Sequence, residues 1–197
     1  MKRTAIVLTF FALSAVAAPL HVQKFDSNHS TIAFRVPILG GMSEVEGKFL
    51  DFAIDLTYDE DSLAKSAVAA TIQTNSIDTG IADRDKHLKT ADFFDATKYP
   101  EIRFVSSQIE KTSDGFIAHG ALTMRGVTKQ IALPFKLVGA RKDADKKTIL
   151  LAFTAETHLN RRDYGINWTH PVDPLFVGDD VTVIIHLLTK KVPLEGS

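Results

Sequence analysis

The sequence contains no cysteine. Disulfide frameworks, thiol nucleophiles and cysteine metal sites are therefore excluded, and a folded domain has to be held together by its apolar core alone. A concentration of basic residues is also lacking, because 23 lysines and arginines are balanced by 24 acidic residues and no segment combines basic with aromatic side chains. We therefore expect no nucleic-acid partner.

The N-terminus shows the pattern of an export signal. Two basic residues precede an apolar run from Ala5 to Val16, and Ala15-Val16-Ala17 fits the small-x-small cleavage motif. A membrane-spanning helix needs about 20 apolar residues, and this run is too short before Pro19. The pattern predicts a signal peptide over residues 1–17 and a mature chain over residues 18–197. The mature protein is expected to be periplasmic or secreted, without stable membrane insertion.

Most of the mature chain alternates apolar and polar residues with a period of two, which predicts β-strands. Its length of about 180 residues suits a single domain, and no repeat or low-complexity linker divides it. The alternation yields eight strand candidates, at residues 32–36, 45–58, 68–72, 102–104, 116–124, 131–137, 149–159 and 181–187. The second candidate changes phase between Phe49 and Phe52, which predicts a bulge or a bend.

Residues 76–104 interrupt the alternation with helical spacing. Leu88 and Ala91 are three residues apart with charges around them, and a second short turn carries Phe93 and Phe94. The sequence thus predicts one short helical excursion between the third and fourth strands of an all-β antiparallel protein.

Eight antiparallel strands suit an up-and-down barrel, which removes exposed edges by closure and can hold one small ligand. A two-sheet sandwich alternates in the same way, so periodicity alone supports both architectures. The predicted inward row has no charged side chain, and an apolar lining leaves a charged ligand without partners. A core filled by its own side chains remains the alternative to a cavity. The row consists of Phe34, Ile54, Val68, Ile72, Phe104, Leu122, Met124, Leu133, Phe135 and Phe153.

The histidines do not form a metal-binding pattern. His119, His158 and His186 fall on the outer face of their strands by parity. Neither a His-x-His nor a His-Glu-x-x-His spacing occurs. We therefore predict no metal site.

Arg84, Asp85 and His87 form the one cluster that could transfer protons. On a helix, however, Asp85 points away from the other two, and no Gly-x-Ser-x-Gly elbow supplies a nucleophile. We interpret the cluster as a structural clasp between the helix and the barrel rim. As an alternative, Arg84 and His87 could donate hydrogen bonds to the polar head of a ligand at the barrel mouth.

The segment from Arg161 to Asp180 contains prolines and glycines that deny it regular structure. Long irregular segments in compact domains are commonly functional, and Tyr164 and Trp168 are aromatic side chains with polar tips. We expect this segment either to frame the entrance as a lid or to plug one end of the barrel.

Three blocks of sequence resemble the YceI-like family. The first comprises Ile77-Asp78-Thr79-Gly80, Arg84-Asp85, His87-Leu88, Asp92-Phe93-Phe94-Asp95 and Lys98-Tyr99-Pro100-Glu101-Ile102; the second is residues 120–129, and the third is residues 160–166. The resemblance implies an eight-stranded, lipocalin-like antiparallel barrel whose interior holds a polyisoprenoid or isoprenoid quinone. It favours the barrel over the sandwich and the cavity over the filled core. In one departure, Ile38 stands where many members have a histidine, so a head group that used that histidine would be held differently.

The combined prediction is an exported binding protein that carries, stores or scavenges a long apolar lipid and has no catalytic residue. The ligand-binding side chains are expected to be the inward row together with Leu88, Phe93, Phe94, Tyr164 and Trp168. No cofactor is required beyond a bound isoprenoid lipid or quinone, and a homodimer is compatible with this function. The alternatives are an exported enzyme acting on an isoprenoid lipid and a filled, structural stress-response barrel.

Overall fold

The described part of the chain folds into β-strands with one short α-helix. The computed structural model describes residues 20–22, 25–59, 62–144, 148–190 and 192–193, so the predicted signal peptide lies outside the described residues. The strands are β1 (Leu20–Val22), β2 (Thr31–Ile38), β3 (Ser43–Phe49), β4 (Phe52–Tyr58), β5 (Ala67–Gln73), β6 (Ile77–Asp78), β7 (Glu101–Lys111), β8 (Phe116–Met124), β9 (Val127–Lys142), β10 (Thr148–Asn160), β11 (Asp180–Leu188) and β12 (Val192–Pro193). Helix α1 is Ala82–Leu88, and 3₁₀ turns occur at Leu39–Gly41, Leu63–Lys65, Thr74–Ser76 and Arg161–Tyr164.

The strands form one antiparallel sheet. Its hydrogen-bonded order is β1-β4-β5-β7-β8-β9-β10-β11-β2-β3-β6, and β12 pairs with β10 beside this path. The helix lies between β5 and β7, which are the third and fourth strand candidates of the sequence. The prediction of an all-β antiparallel fold with one short helical excursion is therefore confirmed.

The second predicted strand differs from the structure, because residues 45–58 form two strands. β3 and β4 lie near opposite ends of the hydrogen-bonded path and are joined by Leu50 and Asp51. At this link the N–H of Leu50 donates to the main-chain oxygen of Ser76 (3.0 Å), and the N–H of Gln73 donates to that of Asp51 (2.9 Å). The change of phase thus marks a change of pairing partners. This division and the short strands β1, β6 and β12 account for the difference between the eight predicted strands and the twelve found among the described residues.

Two irregularities bend the long strands. The pairing of β7 with β8 shifts register between Ser106 and Gln108, and the pairing of β9 with β10 shifts between Ala152 and Phe153. An extra residue in one strand of a pair bends that strand and increases its twist. These bends curve the sheet, so that alternate side chains of the long strands lie on one concave inner face.

The apolar core has two parts along this inner face. The larger part includes Phe34, Phe49, Ile102 and Phe104 and reaches towards α1. The smaller part lies at the opposite end of the strands and consists of Leu56, Tyr58, Ile149, Leu151, Phe153 and Val192. Leu151 is only 1% exposed. The end of the sheet away from α1 is therefore densely packed.

Gly120 lies opposite the bend in β7, where the strands approach too closely for a side chain. A Cβ atom at this position would lie 2.4 Å from the main-chain oxygen of Val105. We expect Gly120→Ala to lower the free energy of unfolding by about 1–3 kcal/mol, because the backbone of β7 would have to move. Gly139→Ala is the matched control, since its Cβ would meet only the Cβ of Ala152, at 3.9 Å. Denaturant unfolding of both variants measures the difference, and equal stabilities would contradict this account.

Candidate ligand-binding cavity

A cavity of about 440 Å³ lies inside the curved sheet. This volume is within the range of small-molecule sites, about 300–1,000 Å³. All fifteen side chains that the sequence predicts to bind ligand line the cavity, namely Phe34, Ile54, Val68, Ile72, Leu88, Phe93, Phe94, Phe104, Leu122, Met124, Leu133, Phe135, Phe153, Tyr164 and Trp168. The structure therefore brings these residues together, while their role in binding a ligand stays a prediction.

The cavity also has lining residues that the sequence analysis did not assign to it. Val181, Val183, Ile185 and Leu187 of β11 are among them, and the alternation of that strand could have identified them. Phe176 and Val177 lie in the irregular segment before β11. This segment has no periodic pattern from which the inward-facing side chains could be predicted. Ile38, which replaces the histidine of many family members, also lines the cavity. An apolar side chain thus occupies that position of the wall.

Polar side chains are sparse around the cavity. Charged or hydroxyl-bearing groups come from Arg84, His87, Thr154, Thr157 and Arg161, with the phenol of Tyr164 and the indole of Trp168. No aspartate or glutamate is among the lining side chains of the described residues. Because a buried polar group needs a hydrogen-bonding partner, such an interior favours a hydrocarbon over a charged or sugar ligand.

Arg84 and Asp85 bind the start of the helix to Thr79, the residue that follows β6. The carboxylate of Asp85 accepts hydrogen bonds from the N–H (2.9 Å) and the hydroxyl (2.6 Å) of Thr79. The guanidinium of Arg84 donates to the hydroxyl oxygen and to the main-chain oxygen of Thr79, both at 2.8 Å. These contacts are local, and the predicted clasp between the helix and the barrel rim stays an interpretation. Asp85 is not among the residues that line the cavity, whereas Arg84 and His87 are.

His87 lies where the cavity meets solvent. Its side chain is 43% exposed, and its Nε2 is 2.9 Å from a carboxylate oxygen of Asp92. The imidazole stands perpendicular to the rings of Phe93 and Trp168, with ring centres 5.0 and 5.3 Å away. Aromatic rings prefer such edge-to-face contacts. We call this α1 end of the cavity the mouth.

Arg161 fixes the segment that runs from β10 over the mouth. The residue is 5% exposed. Its guanidinium donates to the main-chain oxygens of Ile166 (2.8 Å), Trp168 (2.9 Å) and Gly178 (3.0 Å). It also forms an ion pair of 2.8 Å with Asp179. Burial lowers the pKa of Arg161 below its usual value, and the charge of Asp179 opposes this shift.

A second arginine joins the same segment to the helical excursion. Arg125, in the turn between β8 and β9, donates to the main-chain oxygens of Gly165 and Ala91. Tyr164 is 2% exposed beside this contact, and burial raises the pKa of its phenol, with a further contribution from the charge of Asp163. Several hydrogen bonds thus hold residues 161–180 to the rest of the mouth. We call this segment the cover, and its role as a lid or a plug stays a prediction.

The outer histidines have partners on the sheet surface. His119 lies 3.2 Å from Glu110, and His158 lies 3.2 Å from Asp180. Within the part of the chain that the structure describes, no three histidine or carboxylate side chains are grouped in a way that could hold a metal ion. The same residues include no helix of sufficient length and hydropathy to cross a membrane.

Comparison with known proteins identifies the family of this fold. The model of the YceI-like domain matches residues 23–188. The chain belongs to the YceI-like family. Protein YceI of Shigella flexneri is 39% identical over 173 residues, which cover 84% of this chain and 88% of that protein. Protein YceI of Salmonella agona is 37% identical over the same length.

Solved structures show the same YceI-like fold. BcnA of Burkholderia cenocepacia superimposes with a TM-score of 0.73 at 22% identity, covering 84% of this chain and 99% of that chain. The YceI protein of Campylobacter jejuni gives a TM-score of 0.67 at 29% identity, with coverages of 76% and 86%. A polyisoprenoid binding domain of Saccharophagus degradans gives 0.59 at 13% identity, with coverages of 86% and 98%.

Arg161 and Arg162 provide a matched test of the cover. Arg161→Met would leave several buried main-chain oxygens without their donor, while Asp179 would keep its other partner, Arg162. Because each unsatisfied buried group costs about 1–3 kcal/mol, we expect a loss of about 3–5 kcal/mol in the free energy of unfolding. Arg162 also pairs with Asp179, at 2.7 Å, but is 39% exposed, and Arg162→Met should cost less than about 1 kcal/mol. Chemical unfolding, followed by the fluorescence of the single tryptophan, Trp168, measures both changes. Equal losses would show that Arg161 does not organise the cover.

Proposed function

We propose that this YceI-like protein binds one long apolar lipid, a polyisoprenoid or an isoprenoid quinone, in the cavity of its curved sheet. The observation that carries the proposal is the cavity wall, which combines apolar side chains from nearly all the long strands with very few polar ones. Each buried CH₂ group contributes about 0.8 kcal/mol, so several isoprene units outweigh the cost of association and ordering. A long chain therefore binds better than a short one.

The comparisons support a lipid-binding role at the level of the fold. The Saccharophagus degradans polyisoprenoid binding domain shares this fold, but its 13% identity carries the likeness no further than the fold. The choice of a long apolar lipid rests on the apolar side chains that form the cavity wall of this chain. At the mouth, the side chains of Arg84 and His87 line the cavity and are candidate donors to a polar head group.

We propose that the curved sheet closes into a barrel around the ligand. The terminal strands of the sheet, β1 and β6, pair with β4 and β3, and these two strands are joined by Leu50 and Asp51. Two hydrogen bonds of this link support closure: Leu50 donates to Ser76, and Asp51 accepts from Gln73. A closed wall would keep water away from the buried chain of the ligand.

We propose binding without chemical conversion. Arg84 and Asp85 are engaged with Thr79, which leaves His87 and Asp92 as the remaining acid–base pair at the mouth. An exported enzyme acting on an isoprenoid lipid would need that pair, so turnover lost in His87→Ala with ligand retained would favour the enzyme.

The binding proposal predicts that an organic extract of the purified protein contains a prenyl lipid by mass spectrometry. Leu122→Trp should reduce the recovered lipid, because Leu122 lines the cavity and the indole would occupy part of it. Val105→Trp adds the same indole to the adjacent strand at a position that is 50% exposed, and it should retain the lipid.

A thermal melt of the delipidated variants separates a cavity from a filled core. In a filled core, Leu122→Trp would overpack and lose about 1–3 kcal/mol of stability, whereas a cavity accepts the ring with little loss. A strong loss of stability in Leu122→Trp, with no lipid recovered from the wild type, would contradict the proposal and favour a filled barrel.

We further propose that the protein acts in the periplasm or outside the cell after cleavage of residues 1–17. The motif Ala15-Val16-Ala17 supports this location. We expect N-terminal sequencing of the protein from the envelope fraction of its host to begin at Ala18. Recovery of the uncleaved chain from the cytoplasm would contradict export while leaving the cavity in place.

A further inference from the structure

Four of the exposed large apolar side chains lie on two chain segments at the mouth end of the molecule. Leu39 and Met42 belong to the turn between β2 and β3, and Val172 and Leu175 belong to the segment between β10 and β11. Their exposures are 41%, 87%, 87% and 69%. We call these four residues the apolar rim. Single exposed apolar residues are common, but a group of this kind at one place marks a binding surface.

The two segments of the apolar rim are joined by backbone hydrogen bonds. The N–H of Leu39 donates to the main-chain oxygen of Phe176 (3.1 Å), and the N–H of Gly40 donates to that of Leu175 (3.0 Å). The N–H of Gly178 donates to the main-chain oxygen of Pro37 (2.8 Å). The two segments that carry the exposed side chains are therefore held side by side.

This surface is continuous with the cavity. Ile38, the neighbour of Leu39, lines the cavity, as do Phe176 and Val177, the neighbours of Leu175. The rings of His170 and Phe176 are 4.7 Å apart, and a ring contact of 6.1 Å joins His170 to Trp168. The same two segments thus contribute to the cavity wall and to the apolar rim.

The backbone of the first segment adopts a conformation that is costly for a leucine. Leu39, Gly40 and Gly41 have φ values of 53°, 65° and 89°. A bulky residue in the left-handed region is unusual, and in this case the residue is also 41% exposed. Residues 37–42 contain no charged side chain. The segment therefore presents an apolar surface that the rest of the fold leaves uncovered.

We propose that the apolar rim inserts into the surface of a lipid bilayer and lets the ligand pass between bilayer and cavity without crossing water. This inference rests on the proposed function, because the source of a water-insoluble prenyl lipid is a membrane. The charged residues nearest in sequence are Glu44 and Asp173, both acidic, so attraction to anionic lipids does not explain docking. Insertion of apolar side chains explains docking and requires no charged lipid.

A protein partner fits this surface less well. Stable protein interfaces use about 20–30 residues on each side, whereas the apolar rim has four large side chains on two short segments. A bilayer needs no complementary shape and already holds the lipid. A second copy of the chain is the competing occupant, and the experiment below distinguishes it.

The first measurement is flotation with phosphatidylcholine vesicles, which carry no net charge. All the proteins compared begin at Ala18, the proposed mature N-terminus, so that the apolar run of residues 5–16 does not itself bind the vesicles. The variant Met42→Ser/Val172→Ser/Leu175→Ser should bind the vesicles at least roughly tenfold more weakly than the wild type, since binding scales with inserted apolar area. The control Val105→Ser/Val138→Ser removes exposed valines (50% and 61%) from strands away from the mouth and should bind like the wild type.

The second measurement separates docking from ligand binding. Ubiquinone is supplied either from vesicles or from a cyclodextrin solution, and quenching of Trp168 fluorescence reports its arrival at the mouth. The triple variant does not alter residues that line the cavity, so it should take up ubiquinone from cyclodextrin to the wild-type extent. Its uptake rate from vesicles should fall at least roughly tenfold.

Each outcome bears on one proposal. Equal vesicle uptake by the wild type and the triple variant, with ubiquinone bound in both, would overturn docking and leave the binding function intact. A wild-type dimer that the triple substitution converts to a monomer, without any change in flotation, would assign the apolar rim to a second copy. Failure of the wild type to bind ubiquinone or any extracted prenyl lipid from either source would refute the proposed function itself.

Discussion

The backbone ladder of the curved sheet is the constraint on which the rest of the structure depends. A protein without cysteine is held by its core alone, yet part of the core volume here is a cavity. The long paired strands, β7 to β11 above all, compensate for the missing core volume. Their main-chain N–H and C=O groups bond to neighbouring strands, so the wall needs no partners from the cavity. Buried side chains around Leu151 fill one end of the sheet, and the hydrogen bonds of Arg161 organise the other.

The period of two predicted most of the wall because it reports a local property, the alternation of side chains across a strand. It could not predict that residues 45–58 divide between two ends of the sheet, since Leu50 and Asp51 look like an ordinary bulge in sequence. Pairing partners are set by contacts between residues far apart in the chain. The alternation of β11 is a local property, and it predicted which face of that strand points inward. It did not show that this face belongs to the site.

The irregular parts of the site were less predictable, for a different physical reason. Phe176 and Val177 line the cavity from a segment in which prolines and hydrogen bonds, not periodicity, decide the side-chain direction. Arg161 binds main-chain oxygens, which every residue has, so its partners leave no trace in the sequence. Asp85 shows the reverse case. Its type and spacing suggested chemistry, while its hydrogen bonds to Thr79 place it outside the cavity lining.

The first and last strands that the structure describes meet at the end of the sheet away from the mouth. β1 pairs with β4, β12 pairs with β10, and β1 contacts β12, beside the core formed by Tyr58 and Ile149. The mouth lies at the other end of the long strands, so a tether attached beyond β12 would orient the opening away from its anchor. The fold is thus suited to immobilisation on a solid support or fusion to a second protein with the opening left unobstructed.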